Sequence, residues 1–376
     1  MKKLVSLFLA LTLSVATLAG CSGSANNAKP AGGDKSGGTQ VGIVLPTKDE
    51  PRWLQDQKQF ENLLSDAGFT SEVLFSQGSS ATEKTNVESL IASGIKVLVI
   101  CAQDASAAGA AVDAAKEAGV TVICYDRLIT GTASVDYYVT FDSVAVGRAQ
   151  GQYLIDNKPA GSGIPLYLYA GAATDNNAFL FFQGAWEVLQ PYVADGTFVI
   201  ANSSEAVALQ DKKELSYDEE AKIIGQVTTD WDFNVAKSKA EAHLTAADAS
   251  AKGDVLILAP NDGTARAIAD AFTADADISS YVVTGQDAEL ASIKYIQDGK
   301  QSMTVFKNTS TLAADSVEMA KSILGGSKPA TDTTYNNGSV DVPAKQTDVT
   351  VVTQGNYKDV LVNSGYYTQD QIDAGE

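Results

Sequence analysis

Val120-Thr121-Val122-Ile123-Cys124-Tyr125-Asp126-Arg127-Leu128 is a short β-branched run that stops at an acid and a base side by side. An apolar run without polar alternation reads as a strand buried on both faces, the signature of a parallel sheet covered by helices. Asp126 and Arg127 then fall at the strand's carboxyl end, where open α/β sheets bind ligands. Together they offer carboxylate acceptors and a planar fork of donors to one small polar molecule. The blander reading is an Asp that caps the next helix and an Arg in solvent. The balance tips toward a site because other strands of the chain end in the same way.

Around this run, strands and helices alternate with short turns. Strands are expected over 41–46, 71–76 and 96–102, and helices over 52–67, 81–93 and 105–118, closed by Gly68, Gly94 and Gly119. A strand over 137–141 ends in Phe141-Asp142, and the pattern begins again. Helices are expected over 143–157, 177–192, 218–227, 235–249, 264–274 and 290–298, with strands over 165–170, 197–202, 254–260, 281–284 and 301–306. The acidic stretch 211–220 reads as a solvated excursion. This is βαβ repetition, so the fold class is α/β, with two doubly wound parallel-sheet units. A helix over 312–324, an extended piece over 339–342 before Pro343 and a strand over 349–352 do not fit two units in series. A return of the chain to the first unit and back accounts for them.

The length of 376 residues allows two cores. A formal net charge of −19 argues against nucleic acid as a partner. Met1-Lys2-Lys3 followed by the apolar stretch 4–18 reads as an export signal. It ends in Leu18-Ala19-Gly20-Cys21, which resembles the lipobox of bacterial lipoproteins. Residues 1–20 are therefore expected to be a signal peptide and Cys21 a lipid attachment site. Residues 21–40, rich in Gly, Ser, Ala and Asn, read as a flexible tether. The expected location is the outer face of the cell membrane or the periplasm. Cys101 and Cys124 can pair only if their Cα atoms lie within about 7 Å; two inert buried thiols are the simpler expectation.

The strand ends collect a consistent chemistry: Arg52-Trp53, Gln103-Asp104, Asp126-Arg127, Asp175-Asn176-Asn177, Asn261-Asp262, Gln286-Asp287 and Lys307-Asn308, with Trp231 in the loop Thr229-Asp230-Trp231-Asp232. Each hydroxyl of a neutral sugar both donates and accepts, so carboxylates, guanidinium and amides can satisfy it from several sides. Charge-assisted bonds help offset its dehydration. Trp53 and Trp231, one per unit, can cover C–H faces, although a single Trp more often packs in a core.

Val41-Gly42-Ile43 through Pro51-Arg52-Trp53, Tyr125-Asp126-Arg127-Leu128, Asp175-Asn176-Asn177-Ala178-Phe179, Gly285-Gln286-Asp287-Ala288-Glu289 and Gly365-Tyr366-Tyr367 resemble the type I periplasmic binding proteins, in particular the xylose and multiple-monosaccharide branch of sugar ABC importers. The resemblance implies a monomer of two lobes joined by a three-crossover hinge, one lobe of 41–142 and 308–338, the other of 143–307 and 339–376. It implies a monosaccharide of xylose, glucose or galactose type held between them and delivered to the membrane permease subunits. Arg52, Trp53, Asp126 and Arg127 are the implied contacts of the first lobe. Asn176 or Asn177, Asn261 and Asp287 are those of the second, with Trp231 stacking and Lys307 at the hinge. Some relatives carry an aromatic at the position of Asn261 and a polar group at that of Cys101.

An enzyme is the main rival. The single histidine, His243, lies in an Ala-rich helical run, and the sequence holds no G-x-S-x-G, Walker A, EF-hand or Cys/His metal pattern. Gly161-Ser162-Gly163 precedes a strand and lacks a third glycine, so it reads as a loop. No cofactor or metal is expected. A sugar-responsive repressor needs a DNA-binding module where this chain has an export signal. A sensor that presents its sugar to a membrane chemoreceptor or histidine kinase is compatible with the same site.

Overall fold

The computed structural model describes residues 39–375, so the signal peptide, Cys21 and nearly all of the expected tether lie outside the described residues. In chain order the strands are β1 (Val41–Leu45), β2 (Ser71–Phe75), β3 (Val97–Ile100), β4 (Thr121–Tyr125), β5 (Tyr137–Phe141), β6 (Ile164–Leu168), β7 (Phe198–Ile200), β8 (Gly253–Leu258), β9 (Ile278–Val283), β10 (Thr304–Lys307), β11 (Thr333–Asn336), β12 (Asp341–Thr347) and β13 (Val349–Val352). One sheet runs β11-β12-β5-β4-β3-β1-β2, parallel except for the β11–β12 pair. A second, all parallel, runs β7-β6-β8-β9. A bridge from Gln286 to Val305 leads from it to the antiparallel pair β10-β13.

Period-two alternation explains the unbroken apolar strands. Leu98, Ile100, Val122 and Cys124 point into a core on one face of the first sheet, while Val97, Val99, Cys101, Ile123 and Tyr125 point into a core on the other. Each fully buried Val, Leu or Ile side chain contributes about 1.5–3 kcal/mol, which favours helices on both faces. The second sheet is covered in the same way by two cores, one around Phe182 and Trp186, the other around Phe272. Cys101 and Cys124 are free thiols on opposite faces of one sheet, a geometry that keeps their sulfurs from meeting.

The division of the tail needs correction. Residues 339–347 were expected with the second lobe, but β12 pairs with β5 from Ala344↔Tyr138 to Thr347↔Phe141, in the first sheet. Pro343 precedes that pairing, so on this side no ladder hydrogen bond is lost. Asn337 fixes the hairpin: it donates to the carbonyls of Ile129 (3.1 Å) and Thr132 (2.8 Å). The last passage between the sheets is therefore at Asp348, not between 337 and 343. The passages at Asp142 and Asn308 cap the helices Ser143–Asp156 and Thr309–Leu324 with their side chains. The three passages lie side by side, since Phe141 is in register with Thr347 and Lys307 with Val349.

Two smaller differences follow local chemistry. The stretch 211–220 is not wholly a solvated excursion. Ser216 and Glu219 form a capping box that starts the helix Tyr217–Val227 early, and Glu220 in its first turn is buried. The helix expected over 105–118 begins only at Gly109, because Asp104 accepts from the N–H groups of Ser106 and Ala107 and holds a turn there.

Candidate functional site

The carboxyl ends of β1, β4, β6, β8 and β10 converge on one small cavity between the two sheets. From the first side come Glu50, Arg52, Trp53, Asp126 and Arg127. Pro51 opens the helix Pro51–Asp66, so Arg52 and Trp53 stand in its first turn. Asp126 follows β4 directly, with a left-handed backbone at φ 64°.

An ion-pair network fixes these groups. Arg52 Nη2 donates to Asp126 Oδ2 at 2.6 Å, and Arg52 Nε lies 3.6 Å from Asp56 Oδ2. Tyr125 Oη donates to the same Asp56 oxygen at 3.0 Å. Burial alone would raise the Asp126 pKa, but Arg52 and Lys307 outweigh it and bring it down to about 2. Asp56 is fully buried, and that burial pushes it up to about 6 despite Arg52. The Trp53 ring lies under two cations, with the guanidinium carbons of Arg52 and Arg127 at 4.4 and 5.4 Å from its centroid.

From the other side come Asp175, Asn177, Phe181, Trp231, Asn261, Gln286, Asp287 and Lys307. Asp175 caps the helix Asn176–Ala194 by accepting from the Asn177 N–H. It also pairs with Arg127 Nε at 2.9 Å across the cavity. Asn177 Nδ2 crosses too, donating to the Asp126 carbonyl (2.9 Å) and to Asp126 Oδ1 (3.3 Å). Lys307 Nζ meets Asp287 Oδ1 at 2.8 Å and sits 5.6 Å from the centre of the Phe181 ring. Trp231 and Asp287 are both left-handed, at φ 60° and 96°. The Trp231 ring lies against Gly171, where a Cβ would come within 1.9 Å of it. Only glycine admits the ring there.

Several polar atoms at this face have no protein partner. The indole N–H of Trp231 and Oε1 of Gln286 are buried and unbonded. Asn261 uses Oδ1 to cap the helix Asp262–Ala274, accepting from Thr264, which leaves its Nδ2 free to donate into the cavity. Buried groups of this kind cost free energy unless a ligand bonds them. The cavity can thus receive a small neutral molecule rich in hydroxyls, with charged groups on both sides and indole rings beside it.

Of the residues singled out in the sequence, the cavity brings together Arg52, Trp53, Asp126, Arg127, Asn177, Trp231, Asn261, Asp287 and Lys307. Asn176 does not; it is half-buried at the start of its helix, one residue out of phase. Cys101 lies behind the lining, with burial holding its thiol pKa up. Sequence reasoning missed Glu50, Phe181 and the lining roles of Asp175 and Gln286. The last two were visible as polar strand ends, whereas Phe181 reads as core. His243 is turned to Tyr169 (3.2 Å) and Asn202 (3.1 Å), away from the cavity.

A sequence model described as a periplasmic binding protein domain matches residues 41–328. The multiple sugar-binding periplasmic protein SbpA of Azospirillum brasilense is 36% identical over 88% of this chain and 90% of its own. The D-xylose-binding periplasmic protein of Escherichia coli K12 is 31% identical over 89% and 92%. A crystal structure of a carbohydrate transporter solute binding protein from Chloroflexus aurantiacus, in complex with D-glucose, is 64% identical, with a TM-score of 0.87 over 89% of this chain and 98% of that one.

Proposed function

The chain belongs to the periplasmic binding proteins, and from that premise we propose that it captures a monosaccharide, D-glucose first among those considered, and delivers it to the permease of an ABC importer. The observation that carries this reading is the convergence of charged, amide and indole groups from two sheets on one cavity, with Trp231 Nε1 and Gln286 Oε1 unbonded. D-glucose is preferred to xylose and galactose because the 64% identical Chloroflexus protein holds it. In this reading Asp126 and Asp287 accept from hydroxyls, Arg52, Arg127, Asn177, Asn261 and Lys307 donate to them, and Trp53 and Trp231 cover the ring. The sheets belong to two lobes that close about the passages at 142, 308 and 348, and the ligand's preference for the closed state drives closure.

In this reading the protein acts as a monomer and releases its sugar chemically unaltered. Thermal shift against a panel of pentoses and hexoses tests the reading. A sugar at about 100 times its Kd stabilises by roughly 2.7 kcal/mol. D-glucose should give the largest shift and be recovered unaltered. A panel without any shift, or altered sugar, contradicts it. Anchoring through Cys21 follows from the lipobox-like segment, and the lipid would add about 0.8 kcal/mol per buried methylene. Cys21→Ser should abolish lipid labelling of the exported chain; labelling that persists counts against it.

A further inference from the structure

A second, roomier cavity lies against the first, on the far side of Arg52 and Asp287, which line both. Gln55, Leu290, Ala291, Tyr366 and Tyr367 are among its other walls, so both sides of the molecule contribute to it. The partition between the cavities is weak. Arg52 Nη1 stands 3.7 Å from Asp287 Oδ1, beyond the roughly 2.7–2.9 Å of a charge-assisted bond. Each partner is held more closely elsewhere: Arg52 by Asp126 at 2.6 Å, Asp287 by Lys307 at 2.8 Å. Parting Arg52 from Asp287 therefore leaves neither charge uncompensated, and the large penalty of an isolated buried ion is avoided.

The lining beyond the partition suits a ring without charge. Its one further ion pair, Arg266 with Glu289 at 2.7 Å, is already neutralised. Tyr366 is rigid: its hydroxyl accepts from Gln55 Nε2 (3.0 Å) and is bonded to Thr309 Oγ1 (3.0 Å), and its ring packs edge-on against Tyr367 and Phe306. Fixed aromatics beside aliphatic Leu290 and Ala291 are surfaces on which the C–H face of a pyranose is dehydrated without loss of hydrogen bonds.

We infer that the second cavity is a subsite for the second ring of a neutral glycoside, whose first ring fills the first cavity, the chamber, and whose glycosidic oxygen passes between Arg52 and Asp287. This rests on the sugar-binding reading of the chamber. The protein would accept a disaccharide as well as its monosaccharide.

Titration calorimetry with D-glucose and with maltose, cellobiose and gentiobiose tests it. At least one disaccharide should bind within about tenfold of glucose. Ala291→Phe and Leu290→Trp, each filling the second cavity, should weaken that disaccharide by at least about tenfold while leaving glucose within about twofold. Retained glucose binding shows that the variants are folded. Binding of glucose with no disaccharide bound, or equal weakening of both ligands by both variants, overturns the subsite and spares the chamber. Failure of the wild type to bind glucose or any disaccharide brings down the chamber reading and this inference with it.

Discussion

The two faces of the chamber are built from different chemistry. On the first, Arg52, Asp126 and Asp56 are locked to one another as buried ions within a few residues of two strand ends. On the second, the charged pair Asp287–Lys307 stands beside the neutral side chains of Asn261, Gln286 and Trp231, where Oε1 of Gln286 and the indole N–H of Trp231 are unbonded, as the indole N–H of Trp53 is on the first. Ion pairs of the first kind brace the protein whether or not sugar is bound, because removing one partner strands a buried charge. The unbonded neutral atoms of the second face cost the free protein stability and are satisfied only when a ligand reaches them. Substitutions on the two faces should therefore separate stability from affinity.

The largest effect is expected at Asp126. On the proposed reading, Asp126→Ala removes a charged hydrogen bond to sugar worth about 1.5–3 kcal/mol, or roughly ten- to a hundredfold in Kd. It also leaves Arg52 without its nearest anion, so the sugar-free protein should melt lower, by up to about 3–5 kcal/mol of stability. Calorimetry and thermal melting read both, and an unchanged Kd would return Asp126 to a purely structural part.

A smaller and cleaner effect belongs to Asn261→Ser. Serine still caps the helix Asp262–Ala274, whereas the donor Nδ2 is lost. Affinity should fall about fivefold, the value of one neutral hydrogen bond near 1 kcal/mol, with little change in the sugar-free melting temperature. A drop in melting temperature as large as that of Asp126→Ala would erase the contrast between the faces.

The smallest effect on affinity, none, is expected at Glu220, which lies away from the chamber. Burial pushes its pKa up to about 8, against a carboxylate value near 4.3 in the unfolded chain. A raised pKa means that the stability tied to its protonated form is present below about pH 4 and is lost as pH rises through about 8. Glu220→Gln should thus raise the melting temperature at pH 8 relative to wild type and change it little at pH 4. A melting difference that does not depend on pH would show that Glu220 is ionised in the folded protein.

What the sequence made legible follows the same physics. Asp126, Arg127, Asp287 and Lys307 stood out because an apolar strand turns abruptly ionic where it leaves the sheet. Phe181 was hidden, since an aromatic inside a helix reads as core whether or not its edge meets a ligand. Asn176 and Asn177 could be told apart only by helix phase, which the Asp175 cap sets and which turns Asn177 alone into the chamber. The hairpin of β11 and β12 escaped because Thr333–Asn336 alternates half-buried and exposed residues without an apolar run, and Pro343 looked like a strand break. Its place in the first sheet depends on pairing with Tyr138–Phe141, some two hundred residues earlier in the chain, which no local pattern encodes.

That a ligand joins the two faces is tested most directly by small-angle scattering of the protein with and without saturating D-glucose. Arg52, Trp53, Asp126 and Arg127 lie on one side and Asn177, Trp231, Asn261 and Asp287 on the other, so a sugar satisfies both sets only when they meet. The radius of gyration should fall on addition of sugar, and by less in Asp126→Ala at the same concentration. Identical scattering curves at saturation, with binding verified by calorimetry in the same sample, would contradict closure by the sugar.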